Sequence, residues 1–260
     1  MICQACVKTL TEHFLKRNGY SGRIHSQFRQ AVNILLDDYD SLFTILPQGT
    51  PAVPDSLIIN TAAFSRLALC RCDEEIIFSD NSLQMSGLTI DYGKTRNQNC
   101  RLTAGFRESG CRIIGSYRGE ISGLAHLNEG RRRLVEEKLR NLAKSHGFRE
   151  VLPVIGYGDG LTPATDDAIV GILLVLQSLG VSYESFDGAE MKGLTTDVSL
   201  KYLINALRGN FSQRLLGLLE EDEVRLRQNI SLLKEVGSSS GNDMLQGVII
   251  ALDNNYLRQE

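Results

Sequence analysis

Gly156-Tyr-Gly-Asp-Gly-Leu-Thr-Pro-Ala-Thr-Asp-Asp167 joins a compact apolar run, Val151–Ile155, to the longest apolar run of the chain, Ala168–Leu176. We predict a buried strand over Val151–Ile155 and a buried helix over Asp166–Leu179. Glycines at 156, 158 and 160 allow positive φ and let a ligand approach the backbone closely. The stretch therefore predicts a glycine-rich loop that leads from a strand into the N-terminus of a helix.

A second stretch, Ser238-Ser-Ser-Gly-Asn-Asp243, also precedes a predicted helix, and the two helices match without gaps. Asp167 and Asp243 are each followed four residues later by a glycine, Gly171 or Gly247, and then by five aliphatic residues. Residues i and i+4 share one helix face. Because a glycine inside a helix costs roughly 1 kcal/mol relative to alanine, two of them indicate a close helix approach. We predict that the helices pack at these glycines and bring both N-termini to one pocket.

The unpaired N–H groups at two helix starts would favour an anion in that pocket. We predict that Thr165 or Asp166 caps the first helix. Asp167 and Asp243 are the catalytic candidates, as general bases or orienting groups. The cofactor left open is Mg²⁺, which two adjacent aspartates and Asp243 would suit. The predicted substrate-binding residues of the two loops are Gly158, Gly160, Leu161, Thr162, Thr165, Asp166, Ser239, Ser240 and Gly241. The simpler alternative is that they only make turns and caps.

The rest of the chain changes its pattern near residue 120. The predicted strands are Ala31–Leu36, Leu42–Leu46, Leu57–Asn60, Glu75–Phe78 and one strand within Met85–Tyr92, after a short amphipathic helix over Cys6–Arg17. The further predicted helices are Asn128–Ser145, Asp197–Leu207, Phe211–Glu220, Val224–Val236 and Asp243–Leu252. We therefore predict an α/β protein of the α+β type, with a β-rich part at 1–120 and a helical part at 121–260. No low-complexity linker separates the parts, so we expect them to pack as one body.

Composition excludes several classes of function. The formal charge of −3 gives no electrostatic reason to bind nucleic acid or an anionic membrane. No apolar run is long enough to cross a bilayer, and the first 17 residues lack the features of a signal peptide, so cytoplasm is the expected location. Six cysteines without a second zinc-ligand pair are expected to be reduced thiols.

Four segments carry a resemblance to a known family. Ser26–Leu35, Gly156–Asp167, Thr195 or Thr196 with Ser199, and Gly237–Asp243 follow one another along the chain. The last three resemble G-x-G-P-G-L-T-P-S-x-D-D, T-x-x-x-S and G-H-T-S-G-x-D of a bacterial family that includes a subunit of oxamate carbamoyltransferase, an enzyme of anaerobic allantoin breakdown in purine catabolism.

The chain also departs from that pattern. Asp159, Ala164 and Ser238 stand where proline, serine and histidine are common in the family. Asp159 adds a negative charge to the loop, which leaves the identity of the substrate open.

The resemblance implies transfer of a carbamoyl group, in which oxalurate and phosphate give oxamate and carbamoyl phosphate. It adds Thr196 and Ser199 to the predicted substrate-binding residues. The S-x-R-T and H-P-x-Q fingerprints of other carbamoyltransferases are absent, so the resemblance implies a different solution or partner subunits that complete the site. Two alternatives stay open: a non-catalytic regulatory or metabolite-binding subunit, and a Mg²⁺-dependent phosphotransferase that uses Asp166, Asp167 and Asp243.

Overall fold

The computed structural model describes residues 2–10, 20–37, 41–71, 74–79, 81–85, 87–181 and 188–255. The chain divides into two compact units, Met1–Cys100 and Arg101–Glu260. The first is strand-rich and the second is helical, which confirms the predicted fold class. The boundary precedes residue 120 because a helix at Glu108–Ser116 already belongs to the helical unit. The packing of one unit on the other stays a prediction.

The strands described in the first unit form one sheet, in the order β1-β9-β8-β7-β3-β4-β5-β6-β2. They are β1 (Ile2–Gln4), β2 (Val7–Lys8), β3 (Tyr20–Phe28), β4 (Ala31–Leu36), β5 (Ser41–Pro47), β6 (Ser56–Ile59), β7 (Glu75–Phe78), β8 (Ser82–Met85) and β9 (Leu88–Asp91), with helix α1 at Thr61–Leu67. Neighbours are antiparallel except β1 with β9 and β5 with β6. β1 and β2 are the two edge strands of the sheet, although they follow each other directly along the chain.

Alternate residues of these strands build the core of the first unit. In β4, Val32, Ile34 and Leu36 are buried, as the period of two requires. The rings of Phe43 on β5 and Phe78 on β7 meet edge to face with centroids 5.3 Å apart.

The four separate predicted strands are confirmed as β4 to β7. The strand predicted within Met85–Tyr92 is confirmed as β9. Sequence reasoning missed its antiparallel partner β8, from which the chain turns into β9 at Gly87, whose φ is 74°. The helix predicted over Cys6–Arg17 is wrong at Val7–Lys8, which pair with β6. Residues 11–19 of that stretch lie outside the described residues.

The second unit is built from helices around a buried central one. They are α2 (Glu108–Ser116), α3 (Glu129–Ser145), α4 (Ala164–Ser178), α5 (Asp197–Leu207), α6 (Gln213–Leu216), α7 (Glu223–Lys234) and α8 (Ser240–Asn255). Every residue of α4 from Ala164 to Leu176 is buried. α3, α5 and α8 pack against α4, which explains its apolar surface on all sides.

Most helix bounds follow the predicted ones, and two predictions are wrong. Val151–Ile155 is not a strand: Phe148–Val154 form a 3₁₀ helix, and Pro153 there lacks the N–H that a sheet ladder needs. Phe211–Glu220 is not one helix, since α6 is followed by the 3₁₀ turn Gly217–Leu219. Across the ranges that the structure describes, we find no helix with the length and apolarity needed to span a membrane.

Candidate functional site

Helices α4 and α8 cross at two glycines that lie against the backbone of the opposite helix. A Cβ on Gly171 would overlap the carbonyl oxygen of Met244, and a Cβ on Gly247 would overlap that of Ala168. Only a residue without a side chain allows this spacing, so the predicted close approach at the glycines is confirmed.

The N-terminal ends of the two helices lie side by side. Thr162 stands two residues before α4 and Ser240 begins α8, and their hydroxyl oxygens are 2.9 Å apart. One turn further along, Asp167 lies close enough to Asp243 for their charges to interact. The helices are therefore parallel at their crossing, and the two starts come together as the internal sequence match predicts.

Asp166 holds the glycine-rich loop in place. Its Oδ1 accepts the N–H of Gly156 at 2.8 Å, and its Oδ2 accepts the hydroxyl of Ser199 at 2.6 Å and that of Thr195. Burial raises the pKa of Asp166, and these three hydrogen bonds lower it in part. We call Asp166, Gly156, Thr195 and Ser199 the loop anchor.

Thr196 fastens the same loop at a second point. As the N-cap of α5, its Oγ1 accepts the N–H of Ser199 at 3.1 Å, and its hydroxyl donates to the carbonyl oxygen of Leu161. Thr196 and Ser199 both belong to the predicted substrate-binding set, and both hydroxyls are bonded inside the protein. Leu161 itself remains 40% exposed.

The three loop glycines have different reasons to be glycine. Their φ angles are all positive, 80° at Gly156, 125° at Gly158 and 90° at Gly160. A Cβ added to Gly156 would overlap the carbonyl oxygen of Leu194, and one added to Gly158 would overlap the N atom of Ala164. A Cβ added to Gly160 would have no neighbouring atom within 4 Å. Gly160 is therefore the loop position at which the backbone stays open to a ligand.

The start of α4 corrects the predicted cap. Pro163 occupies the cap position without a side-chain hydrogen bond, and neither Thr165 nor Asp166 acts as the cap. The N–H of Thr165 donates to the carbonyl oxygen of Tyr157 at 3.0 Å, and those of Asp166 and Asp167 donate to that of Pro163. Because these first-turn donors are already bonded, α4 offers an anion fewer free N–H groups than the sequence predicts.

At the start of α8, Gly241 serves close packing, whereas Ser239 and Ser240 present hydroxyl groups to carboxylates. Gly241 is buried, and a Cβ there would overlap the carbonyl oxygen of Leu233 on α7, so close packing explains this glycine. The hydroxyl of Ser239 faces Asp243, and that of Ser240 faces Asp167 and Thr162. Of the predicted residues in this loop, the two serines are the ones whose hydroxyls lie beside carboxylates.

Asp167 and Asp243, which we call the carboxylate pair, are buried and incompletely hydrogen-bonded. They are 2% and 0% exposed, and the Oδ2 of each has no hydrogen-bond partner. Within the described ranges, no Lys or Arg side chain forms an ion pair with either of them. Two unpartnered buried acceptors at one place are unusual in a folded protein, because each costs free energy.

Burial raises the pKa of Asp167 well above its usual range. The hydroxyls of Ser240 and Thr162 oppose this rise, and the carboxylates of Asp243 and Asp166 add to it. A carboxyl group in such surroundings exchanges its proton closer to neutral pH than an exposed aspartate does, which suits acid–base chemistry.

Asp243 interacts with two residues of the loop that precedes α3, one through a hydrogen bond and one through its charge. Its Oδ1 accepts the N–H of Leu124 at 2.6 Å, and Leu124 has a positive φ of 62°. Burial raises the pKa of Asp243, while the Leu124 N–H, the Ser239 hydroxyl and the nearby His126 lower it. Sequence reasoning missed His126 and Leu124, because nothing near them in the sequence connects them to Asp243.

Tyr202 on α5 is a further residue that sequence reasoning missed. Part of the residue is exposed, but its hydroxyl is buried, and burial together with the charge of Asp167 raises the pKa of Tyr202 to about 12. The phenol therefore stays protonated at neutral pH and can donate a hydrogen bond near Asp167. Nothing in the sequence of the predicted helix Asp197–Leu207 indicates that Tyr202 is influenced by the charge of Asp167.

The Mg²⁺ alternative loses one of its three predicted ligands. Asp166 uses both carboxylate oxygens in the loop anchor. In the part of the chain that the structure describes, no three His, Cys, Asp or Glu side chains are arranged to bind a metal ion. Proteins usually hold Mg²⁺ by one or two carboxylates, with water and substrate phosphate completing the shell, so the Mg²⁺ alternative stays a prediction that rests on the carboxylate pair.

Comparison with known families agrees with the sequence motifs. The family described as "Oxamate carbamoyltransferase subunit AllH" matches residues 154–252, and the "AllH family N-terminal domain" matches residues 1–99. Together the two matches cover about three quarters of the chain. The chain belongs to the AllH family. The AllH match at 154–252 contains the whole loop anchor and the carboxylate pair. No solved structure matches the chain.

Proposed function

We propose that this chain binds the small anionic substrate of a carbamoyltransferase at the common N-terminal end of α4 and α8. The candidate substrates are carbamoyl phosphate, phosphate and an oxamate-like carboxylate. The observation that carries the proposal is the carboxylate pair: each member has one unpartnered buried oxygen, and the hydroxyls of Thr162 and Ser240 lie beside Asp167. Selection for stability alone would remove such acceptors, whereas a binding site retains them.

The hydroxyl groups supply the donors that an anion needs. Thr162, Ser239 and Ser240 lie next to the first turn of α8, where the helix dipole also favours negative charge. Gly160 keeps its backbone open beside Thr162. Donors held in place by a rigid helix start can also stabilise the charge that develops on a carbonyl oxygen during acyl transfer.

The carboxylate pair supplies the acid–base groups. Its raised pKa values bring proton exchange closer to neutral pH, where a general base or an orienting group works best. The AllH family is described as a subunit of oxamate carbamoyltransferase. We therefore expect partner subunits to take part in the complete reaction and this chain to contribute substrate binding at the carboxylate pair.

Thermal unfolding of the full chain tests the proposal, with inorganic phosphate, carbamoyl phosphate and oxamate as separate probes. A ligand at 100 times its dissociation constant adds about 2.7 kcal/mol to the free energy of unfolding, a clear rise in Tm. We expect stabilisation by at least one probe, and its loss in Ser240→Ala and in Thr162→Val, which keeps the shape of threonine. Ser231→Ala is the matched control, because its hydroxyl bonds only to the Arg227 carbonyl on α7.

Three results would count against the proposal, and the first two contradict it directly. The first is that none of the three probes shifts the Tm of the full chain. The second is that Ser240→Ala and Thr162→Val bind the probes as the unchanged chain does, because the ligand would then bind elsewhere. Equal losses in both variants and in Ser231→Ala would indicate general destabilisation, which also counts against the site.

A further inference from the structure

We propose that the carboxylate pair binds the N–H groups of a carbamoyl or primary amide group, while the anionic end of the same molecule lies against the hydroxyls of Thr162 and Ser240. This inference rests on the proposed function of the site. It assigns a different part of the substrate to each group of side chains, the amide nitrogen to the carboxylate pair and the anionic group to the hydroxyls.

The first argument is the hydrogen-bonding character of the pair. An ionised carboxylate only accepts hydrogen bonds, and the Oδ2 atoms of Asp167 and Asp243 accept none from the protein. Both residues are almost completely removed from solvent, at 2% and 0% exposure. A phosphate or carboxylate group placed there would bring more acceptors and more negative charge. The complementary ligand group is therefore a hydrogen-bond donor.

The second argument distinguishes an amide from a cation. Burial raises the pKa of both members of the pair, which shows that their surroundings disfavour charge. An ammonium ion would have to lose its own water in the same buried place. A neutral NH₂ group needs only acceptors, and its two N–H bonds diverge from one nitrogen toward two acceptors. An amide nitrogen therefore fits the pair at lower cost than an ammonium group.

The third argument is that donors lie next to these acceptors. The hydroxyls of Thr162 and Ser240 bond to each other beside Asp167, which leaves one of their two hydrogens to donate to an anion. Tyr202 adds a protonated phenol on the side of α5. A site with acceptors and donors this close matches a small molecule in which an amide nitrogen and an anionic group are separated by one or two atoms. Carbamoyl phosphate and oxamate both have that arrangement.

Isothermal titration of the full chain with carbamoyl phosphate and acetyl phosphate tests the inference. The two molecules carry the same phosphate and differ in NH₂ against CH₃. Hydrogen bonds to charged acceptors predict that the chain binds carbamoyl phosphate about 10- to 100-fold more tightly. We expect Asp167→Asn and Asp243→Asn to reduce this ratio by about tenfold or more. Asp253→Asn is the matched control on α8, because that carboxylate pairs with Arg118 at the surface.

Inorganic phosphate is the internal control for folding, since it contains no N–H group. We expect the two pair variants to bind it as tightly as the unchanged chain or more tightly, because they remove negative charge near the hydroxyls. Retained phosphate binding with a lost carbamoyl preference supports the inference. A preference that persists in both variants overturns it.

The remaining outcomes separate the inference from the proposed function. Equal affinity of the unchanged chain for carbamoyl phosphate and acetyl phosphate, with both lost in Ser240→Ala, leaves the anion site in place and overturns the inference. Binding of neither molecule overturns the proposed function and the inference with it. Loss of phosphate binding in Asp167→Asn and Asp243→Asn, with an unchanged circular dichroism spectrum, also overturns the inference, because the pair would then be needed by the anion.

Discussion

The loop anchor and the carboxylate pair contain adjacent aspartates with opposite surroundings. Asp166 and Asp167 are both buried, at 1% and 2% exposure. Asp166 accepts three hydrogen bonds from the protein, whereas Asp167 keeps an oxygen without a partner. Burial is the same in both regions, so burial does not distinguish a structural carboxylate from a candidate site. The difference lies in whether the protein itself completes the hydrogen bonds.

Helix geometry explains why neighbours differ so strongly. Successive residues of a helix point about 100° apart, so Asp166 and Asp167 face different elements. Asp167 shares a face with Gly171, four residues later, and that face meets α8. Asp166 instead faces the loop and the start of α5. The two regions can therefore be disturbed separately by single substitutions.

The largest effect is expected for Asp166→Ala. The N–H of Gly156 and the hydroxyls of Thr195 and Ser199 would lose their acceptor, so we expect the free energy of unfolding to fall by about 3 kcal/mol. Urea unfolding measures the change. The control is Asp159→Ala, an exposed position of the same loop, for which we expect a change within about 0.5 kcal/mol. Equal losses of unfolding free energy in the two variants would contradict the assignment of Asp166 as the residue that anchors the loop.

Gly171→Ala is expected to disturb the carboxylate pair while it leaves the loop anchor intact. The added Cβ overlaps the carbonyl oxygen of Met244, so α4 and α8 must move apart, at a cost of about 2 kcal/mol. The anchor does not involve α8, so we expect carbamoyl phosphate binding to fall more than stability does. Gly130→Ala on α3 is the control, because the nearest atom to its Cβ is 3.8 Å away. If titration shows that Gly171→Ala binds carbamoyl phosphate as tightly as the unchanged chain, the site does not depend on the close contact of α4 with α8.

Asp167→Asn and Asp243→Asn are expected to act on stability in the opposite direction from Asp166→Ala. Removing an incompletely paired buried charge raises the free energy of unfolding of the unligated chain by about 1 kcal/mol at neutral pH. Urea unfolding without ligand is the measurement. A loss of stability in both variants would show that the pair is structural, like the anchor.

The smallest effect is a pH dependence that originates in the pair. Burial raises the folded-state pKa of Asp167 and Asp243 above the unfolded value of about 4. Above that value the folded state binds more protons than the unfolded state, so stability falls as pH rises through the raised pKa values. Unfolding curves between about pH 4 and pH 8 test this, and we expect a shallower slope in Asp167→Asn. Asp159→Asn is the control. If stability depends on pH equally in Asp159→Asn and Asp167→Asn, the pH dependence does not originate in Asp167.

Several features of the site follow from the sequence because they depend on local periodicity. The repeated Asp and Gly four residues apart predicted both the contact of α4 with α8 and the neighbouring helix starts, and both are observed. The cap prediction failed because α4 already begins at Ala164, so that Asp166 lies inside its first turn and its carboxylate accepts the N–H of Gly156 instead. The strand predicted at Val151–Ile155 failed because a short apolar run does not distinguish a strand from a 3₁₀ turn.

The sequence by itself determined the division into a strand-rich and a helical part, the helix pair and the short set of residues at its start. These depend on patterns that repeat within a few residues along the chain. Only the tertiary structure decided which aspartate is anchored and which is unpartnered, and it alone brought Tyr202 and His126 to the pair. The physical reason is that hydrogen-bond completion and desolvation depend on distant segments: Ser199 lies 33 residues from Asp166, and Leu124 lies 119 residues from Asp243.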